Sequence, residues 1–108
     1  MADAATRQIQ IKTGIVKRLV KEENSYIKEV KEQEEKIKHL KAEAGDEYFI
    51  KKQMEVLQES KMMIRDSHRR LAVAHADLQQ FLDDWDGLET QNEYVEARNV
   101  LDSVTLEG

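Results

Sequence analysis

Ile50, Leu57, Ile64, Leu71, Leu78 and Trp85 stand seven residues apart, an apolar column without a gap. Such a column marks a long helix laid against another helix, because supercoiling to 3.5 residues per turn returns every seventh side chain to one seam. Met54, Lys61, His68, His75 and Leu82 form a companion column four residues on. An earlier segment repeats the pattern, with Ile9, Val16, Val30 and Ile37 in one column and Leu19, Tyr26 and Leu40 beside it. Its polar faces are filled with Glu and Lys, and Glu32 to Lys36 and Glu34 to Lys38 have the favourable acid-first spacing. Pairs of this kind contribute only about 0.2–0.5 kcal/mol each, so the helix needs a partner.

Punctuation is sparse. The 108 residues contain no Pro and four Gly, too few turn formers for a sheet of many short strands. The spacing predicts helices over about 7–42, 47–86 and 91–104 within a single domain covering 1–108. Gly14 falls inside the first helix and should cost about 1 kcal/mol relative to Ala, enough to fray or bend its opening turns. Gly45 follows the last seam residue and Asp46 is a good N-cap, so the pair reads as a tight link between antiparallel helices. Gly87 supplies the next stop. Thr90-Gln91-Asn92-Glu93 matches a capping box, and Tyr94, Ala97, Leu101 and Val104 mark the buried stripe of a third helix that frays from Thr105.

Helices of about 36–40 residues reach roughly 55–60 Å, whereas one of about 15 reaches only ~22 Å. The third helix can cover only part of the hairpin made by the first two. It must fold back where the first begins and the second finishes. Residues 8–27 hold eight large apolar side chains against three in 28–47, and Ala74 and Phe81 widen the second helix at the same end. A helix touching two partners needs a broad apolar face, and one touching a single partner needs a narrow seam. The predicted fold is therefore all-α: an elongated antiparallel three-helix bundle, with two long helices and one short C-terminal helix.

Composition excludes several classes of function. The chain is 40% hydrophobic and 36% charged, no run approaches the roughly 18 apolar residues needed to span a bilayer, and Met1-Ala2-Asp3 does not open a secretory signal. A cytosolic protein is expected. Without Cys there is neither a disulfide nor a thiolate metal site. The net charge of −5 argues against nucleic acid, which requires a concentrated basic face. Residues 76–108 carry one base, Arg98, against nine acids. That acidic end either selects a basic partner surface or simply solubilises the bundle.

Catalysis has little support. His68 and His75 share a face but lie about 10 Å apart along the axis, too far to bind one zinc unless the other helix contributes. They read more simply, with Lys61, as seam-edge side chains whose polar ends reach solvent. His39, among Lys36, Lys38 and Lys41, reads as a surface residue. The pairs Asp83-Asp84 and Glu34-Glu35 read as solvated faces, and there is no phosphate-cradling loop or nucleophile motif. No cofactor and no metal are expected.

Binding is the remaining class. At 100° per residue, Met62 and Val73 lie nearly opposite Ile64, in line with Lys51, Glu55 and Arg69. Two scattered apolar residues there need no special cause. The sharper reading is a partner-gripping stripe of mixed apolar and charged groups, in which Met is useful because its shape adapts.

Four extended strings go further: Arg7 to Glu23 (RQIQIKTGIVKRLVKEE), Lys31 to Glu43 (KEQEEKIKHLKAE), Ile50 to Leu71 (IKKQMEVLQESKMMIRDSHRRL) and Glu93 to Glu107 (EYVEARNVLDSVTLE). Together they resemble the tubulin-specific chaperone A, or tubulin folding cofactor A, family over nearly the whole chain. The resemblance implies a three-helix bundle that captures β-tubulin after chaperonin release and holds it before α/β pairing, without nucleotide. It implies binding spread over helical faces, a cytoplasmic, cytoskeleton-associated location, and other tubulin folding cofactors as further partners. The alternative is a structural coiled-coil adaptor or oligomerisation module. Narrow seams are compatible with a monomer or a weak homodimer.

Two departures from the family pattern stand out. Arg65 occupies a place where the resemblance leads to an expectation of proline, so the second helix should keep its hydrogen-bond ladder there and run straighter. The segment Asp83 to Gly87, with Trp85, differs from the Glu-rich link of the family.

Overall fold

The computed structural model describes residues 4–84, 91–104 and 106. They form three helices and no strand: α1 (Ala4–Ala42), α2 (Glu47–Asp84) and α3 (Asn92–Ser103). The expected roles of Trp85, Gly87, Thr90 and Thr105, and the end of the second helix at 86, lie outside the described residues. The chain divides into two compact units, one of residues 1–21 with 68–108 and the other of residues 22–67. Three helical segments build the first unit and two build the second.

Helix α1 begins three residues before the expected boundary at 7. Ala5 and Thr6 are buried, and the Thr6 hydroxyl donates to Gln91 Oε1 at 2.7 Å, so the opening turn is tied down by tertiary contacts. Gly14 does not break the helix, and a Cβ placed there would meet nothing within 4 Å. Likewise α2 runs unbroken through Arg65.

The α1–α2 link differs in detail from the expected one. Gly45 N–H donates to Leu40 O at 2.9 Å and Ala44 N–H to Lys41 O at 3.3 Å, the paired bonds of a Schellman motif. The residue in the left-handed region is Ala44, with φ 54°, and not the glycine. Gly45 serves closeness, since a Cβ there would lie 3.1 Å from the Leu40 carbonyl oxygen. Asp46 caps α2 as expected, its carboxylate accepting from Tyr48 N–H at 2.8 Å.

In the first unit the buried cluster comprises Ala5, Ile9, Val16 and Leu19 of α1, Leu71, Leu78 and Leu82 of α2, and Ala97 and Leu101 of α3. Ala74, Phe81, Tyr94 and Val104 pack against it, in the places the sequence assigns them. The N-cap of α3 is Gln91, and its side chain makes no capping bond. The Gln91 amide oxygen instead accepts from the Thr6 hydroxyl.

His75 also corrects an expectation. Its Nε2–H donates to Leu101 O at 3.1 Å, a second bond to a carbonyl at the end of α3 that also accepts from Val104 N–H, rather than reaching for solvent. Arg98, on α3, donates to Asp83 at 2.5 Å and to the Tyr94 hydroxyl at 3.1 Å. The bond to Asp83 leads in raising the guanidinium pKa, so the one base of the acidic end stays charged and neutralises an acid in the last turn of α2.

The second unit is thinner. Val30 and Ile37 of α1 are buried, while Ile50, Leu57 and Ile64 of α2 are half-buried. The companion column on α2 lies three residues from the seam, not four: Gln53, Ser60 and Ser67 turn inward, and Met54 and Lys61 are exposed. Gln33 Nε2 donates to Gln53 Oε1 at 2.6 Å and pairs the helices with a polar layer. Both spacings fall on neighbouring flanks of the seam, and the small side chains mark the flank against which the other helix lies.

Ser67 is 1% exposed, and its hydroxyl has no hydrogen-bond partner among the described residues. Ser67→Ala should therefore raise stability by about 0.5–1.5 kcal/mol, because it removes an unsatisfied buried group and improves helix propensity. Leu78→Ala, at a position 0% exposed, should cost about 2–5 kcal/mol. Ala44→Gly should add about 0.5–1 kcal/mol by relieving the left-handed backbone. Urea unfolding followed by circular dichroism measures all three.

Candidate functional site

No group of three or more His, Cys, Asp or Glu side chains among the described residues could hold a metal ion. His39 is exposed, and Asp83 is engaged by Arg98. Concavities lined by the described residues are open grooves and recesses on helix surfaces, so the candidate site is a surface.

Within the first unit, an open groove of about 460 Å³ runs between α1 and α2. Ile15, Leu19, Val73 and Ala74 make it apolar, and Arg69, Arg70 and Asp77 provide its charge. Asp77 is paired with Lys12 at 2.6 Å, which leaves the groove with a basic edge. Lys12 also sits over the Phe81 ring, 5.6 Å from its centroid. Ile11, four residues before Ile15 and therefore on the same side of α1, is exposed as well.

Helix α3 lies elsewhere on the same pair of helices. Lys17 is ion-paired with Glu96, and a small polar recess of about 110 Å³ is lined by Gln10, Thr13, Gly14, Lys17, Glu93 and Glu96. Thr13 and Lys17 are about 160° around α1 from Ile15. The groove at Ile15 is thus on the side of α1 that α3 leaves uncovered.

The second unit exposes a different set. Phe49, Val56 and Met63 stand seven apart along α2, and all three are exposed together with Tyr48. Lys36 lies over the Phe49 ring at 5.9 Å and Lys52 over the Tyr48 ring at 5.4 Å. These cation–π contacts cover aromatic faces that a single-partner helix cannot bury. Met54, with Ile37, Leu57, Glu34, Lys38 and Lys41, lines a smaller groove of about 320 Å³.

The stripe expected from the sequence is divided between the units. Lys51, Glu55 and Met62 belong to the second unit, and Arg69 and Val73 to the first. All five are exposed; Met62 and Val73, at 65% and 67%, are as open as their opposition to the seam predicts. Glu55 pairs with Lys52 at 3.6 Å, a surface contact worth little to stability. The structure adds Ile15 and Leu19 beside Arg69 and Val73, a juxtaposition of two helices that no single wheel contains. It adds Phe49, Val56 and Met63, whose seven-residue spacing was visible but was masked by the stronger column beside it.

Comparison with known proteins accounts for the whole chain. The tubulin binding cofactor A family model matches residues 4–101. Tubulin-specific chaperone A of Bos taurus is 63% identical over 108 residues, covering all of both chains. The solved structure of human tubulin chaperone cofactor A is 58% identical with a TM-score of 0.81, over 92% of this chain and 96% of that one. RBL2P, described as a β-tubulin binding post-chaperonin cofactor, is 36% identical with a TM-score of 0.71, over 89% of this chain and 99% of its own. With its helices, its core and nearly its full length so matched, the chain belongs to the tubulin binding cofactor A family.

Proposed function

We propose that this protein captures β-tubulin after its release from the cytosolic chaperonin and holds it until it pairs with α-tubulin, without nucleotide hydrolysis. The observation that carries this reading is the number of large apolar side chains left exposed on α1 and α2 by a molecule whose relatives are tubulin chaperones: Ile11, Tyr48, Phe49, Val56, Met62, Met63 and Val73. Interspersed with Lys and Arg, they suit a client surface that is itself part apolar and part charged. RBL2P, by its description, binds β-tubulin. A holding chaperone works by mass action: occupancy of its faces lowers the free concentration of an aggregation-prone subunit. The reaction is binding and release, and no catalytic residue is assigned.

The same reading makes the protein cytoplasmic and cytoskeleton-associated, with other tubulin folding cofactors as subsequent partners. No helix among the described residues is long and apolar enough to cross a membrane. The second reading, a structural coiled-coil adaptor, is favoured by the seven-residue spacing of exposed Phe49, Val56 and Met63. Light scattering separates the two, since a self-pairing adaptor is an oligomer at micromolar concentration and the proposed chaperone is a monomer or weak homodimer.

Purified protein mixed with chaperonin-released β-tubulin should give a shifted band on a native gel with no nucleotide added; absence of the band overturns the proposal. Met62→Asp and Arg69→Glu should each weaken that band while changing stability by less than about 0.5 kcal/mol, because both positions are exposed. Thermal melts of the two variants check the second half of this expectation.

A further inference from the structure

The first unit shows how its own two long helices accept a third. Helix α3 is short, amphipathic and acidic, with Glu93, Glu96 and Asp102 against Arg98. It sets Ala97 and Leu101 into the core and pairs Glu96 with Lys17 at the edge. On the side of α1 that α3 leaves uncovered, the groove at Ile15, Leu19, Val73 and Ala74 has the same construction: an apolar floor between two helices and cations at the rim. Arg69 makes no ion pair among the described residues, Arg70 is already engaged, and the acid of the rim is neutralised by Lys12.

We propose that this groove seats an acidic amphipathic helix of the client, with its apolar side chains on Ile15, Leu19, Val73 and Ala74 and a carboxylate on Arg69. Charge selects the sign of the occupant, because a basic helix would face the Arg69 guanidinium at the rim, where the one lining acid, Asp77, is already paired with Lys12. Backbone chemistry selects its conformation. Both walls are helices whose peptide groups are already bonded within themselves, so an incoming segment finds no edge to pair with and must satisfy its own backbone, which a helix does. Ile11, exposed and in register with Ile15, extends the floor by one turn. The inference deepens the capture reading and rests on it for the owner of the helix.

The test uses the full chain, isotopically labelled, and two synthetic helical peptides of about 15 residues, enough for ~22 Å. Both peptides carry Leu at positions spaced three and four apart; one has Glu at its remaining positions and the other Lys. The Glu peptide should shift the amide resonances of Ile15, Leu19, Val73 and Ala74, and should bind about tenfold more tightly than the Lys peptide. Raising salt from about 0.05 M to about 0.5 M should narrow that preference. Arg69→Glu with Arg70→Glu should reverse it, while Val73→Asp should weaken both peptides.

Shifts confined to other surfaces, equal binding of the two peptides, or peptide-free self-association through this groove would each overturn the proposal. A parallel arm with chaperonin-released β-tubulin separates the two levels of inference. Failure of the unaltered protein to capture β-tubulin, with the Glu peptide still mapping to the groove, removes the capture reading and the client as owner but leaves the acidic-helix specificity. Capture that proceeds undiminished in both Val73→Asp and Arg69→Glu removes the groove from the client interface.

Discussion

The shared burial of Ile9, Val16, Leu78 and Leu82 in one core is the constraint on which the rest of this molecule depends. All four are essentially removed from water, and they lie in the one buried cluster to which α1, α2 and α3 all contribute. Burying side chains of this size stabilises by about 1.5–3 kcal/mol each, a large share of the total available to a small domain. The peripheral contacts acquire their geometry from it. Thr6 reaches Gln91, His75 reaches the Leu101 carbonyl and Arg98 reaches Asp83 only because the three segments are already held side by side. Individually those polar contacts contribute modestly, and their value is in fixing where α3 starts and stops.

Residues 22–67 lack a third helical segment, and the consequence is visible side chain by side chain. Val30 and Ile37 are buried from one direction, whereas Ile50, Leu57 and Ile64 remain half open. A two-helix arrangement buries one stripe per helix, and apolar side chains outside that stripe stay in water. Phe49, Val56 and Met63 are such residues, partly shielded at one end by the Lys36 ammonium. Surfaces like these favour association with another macromolecule. The Gln33–Gln53 pair in the same unit keeps the seam from being uniformly apolar. A satisfied polar layer of this kind discriminates between registers, since sliding one helix would leave an amide without its partner.

Much of the architecture was legible along the chain. The column Ile50 to Leu78, the crowding of apolar residues in 8–27, and the stripe Tyr94, Ala97 and Leu101 together required three helices and located the thick part of the core. Met54 was placed in the column beside the seam because Met is apolar, yet Gln53, Ser60 and Ser67 turn inward; hydropathy cannot say from which flank a partner helix arrives. Gly45 was read with Asp46 as the tight link, and the left-handed residue of that link is Ala44, which the paired bonds of the Schellman motif place there. Gln91 stands at the N-cap of α3 without a side-chain capping bond, and its amide oxygen is taken by Thr6, a side chain distant in sequence. The exposed positions Met62 and Val73 were legible because opposition to a seam is a property of one helix, but the groove at Ile15 was not, because it needs two.

Sequence alone therefore determined what depends on neighbours a few residues apart: the existence of α1, α2 and α3, the Asp46 cap, and which residues of each helix face away from its seam. These follow from the fixed period of the helix and from local hydrogen bonding. Tertiary structure decided the rest: the flank on which α1 meets α2, the use of His75 and Arg98 to bind α3, and the meeting of Leu19 with Arg69 and Val73 along one groove. Those outcomes depend on the distance and rotation between helices, which are set by the volumes of side chains far apart in the chain and by no periodicity within either one.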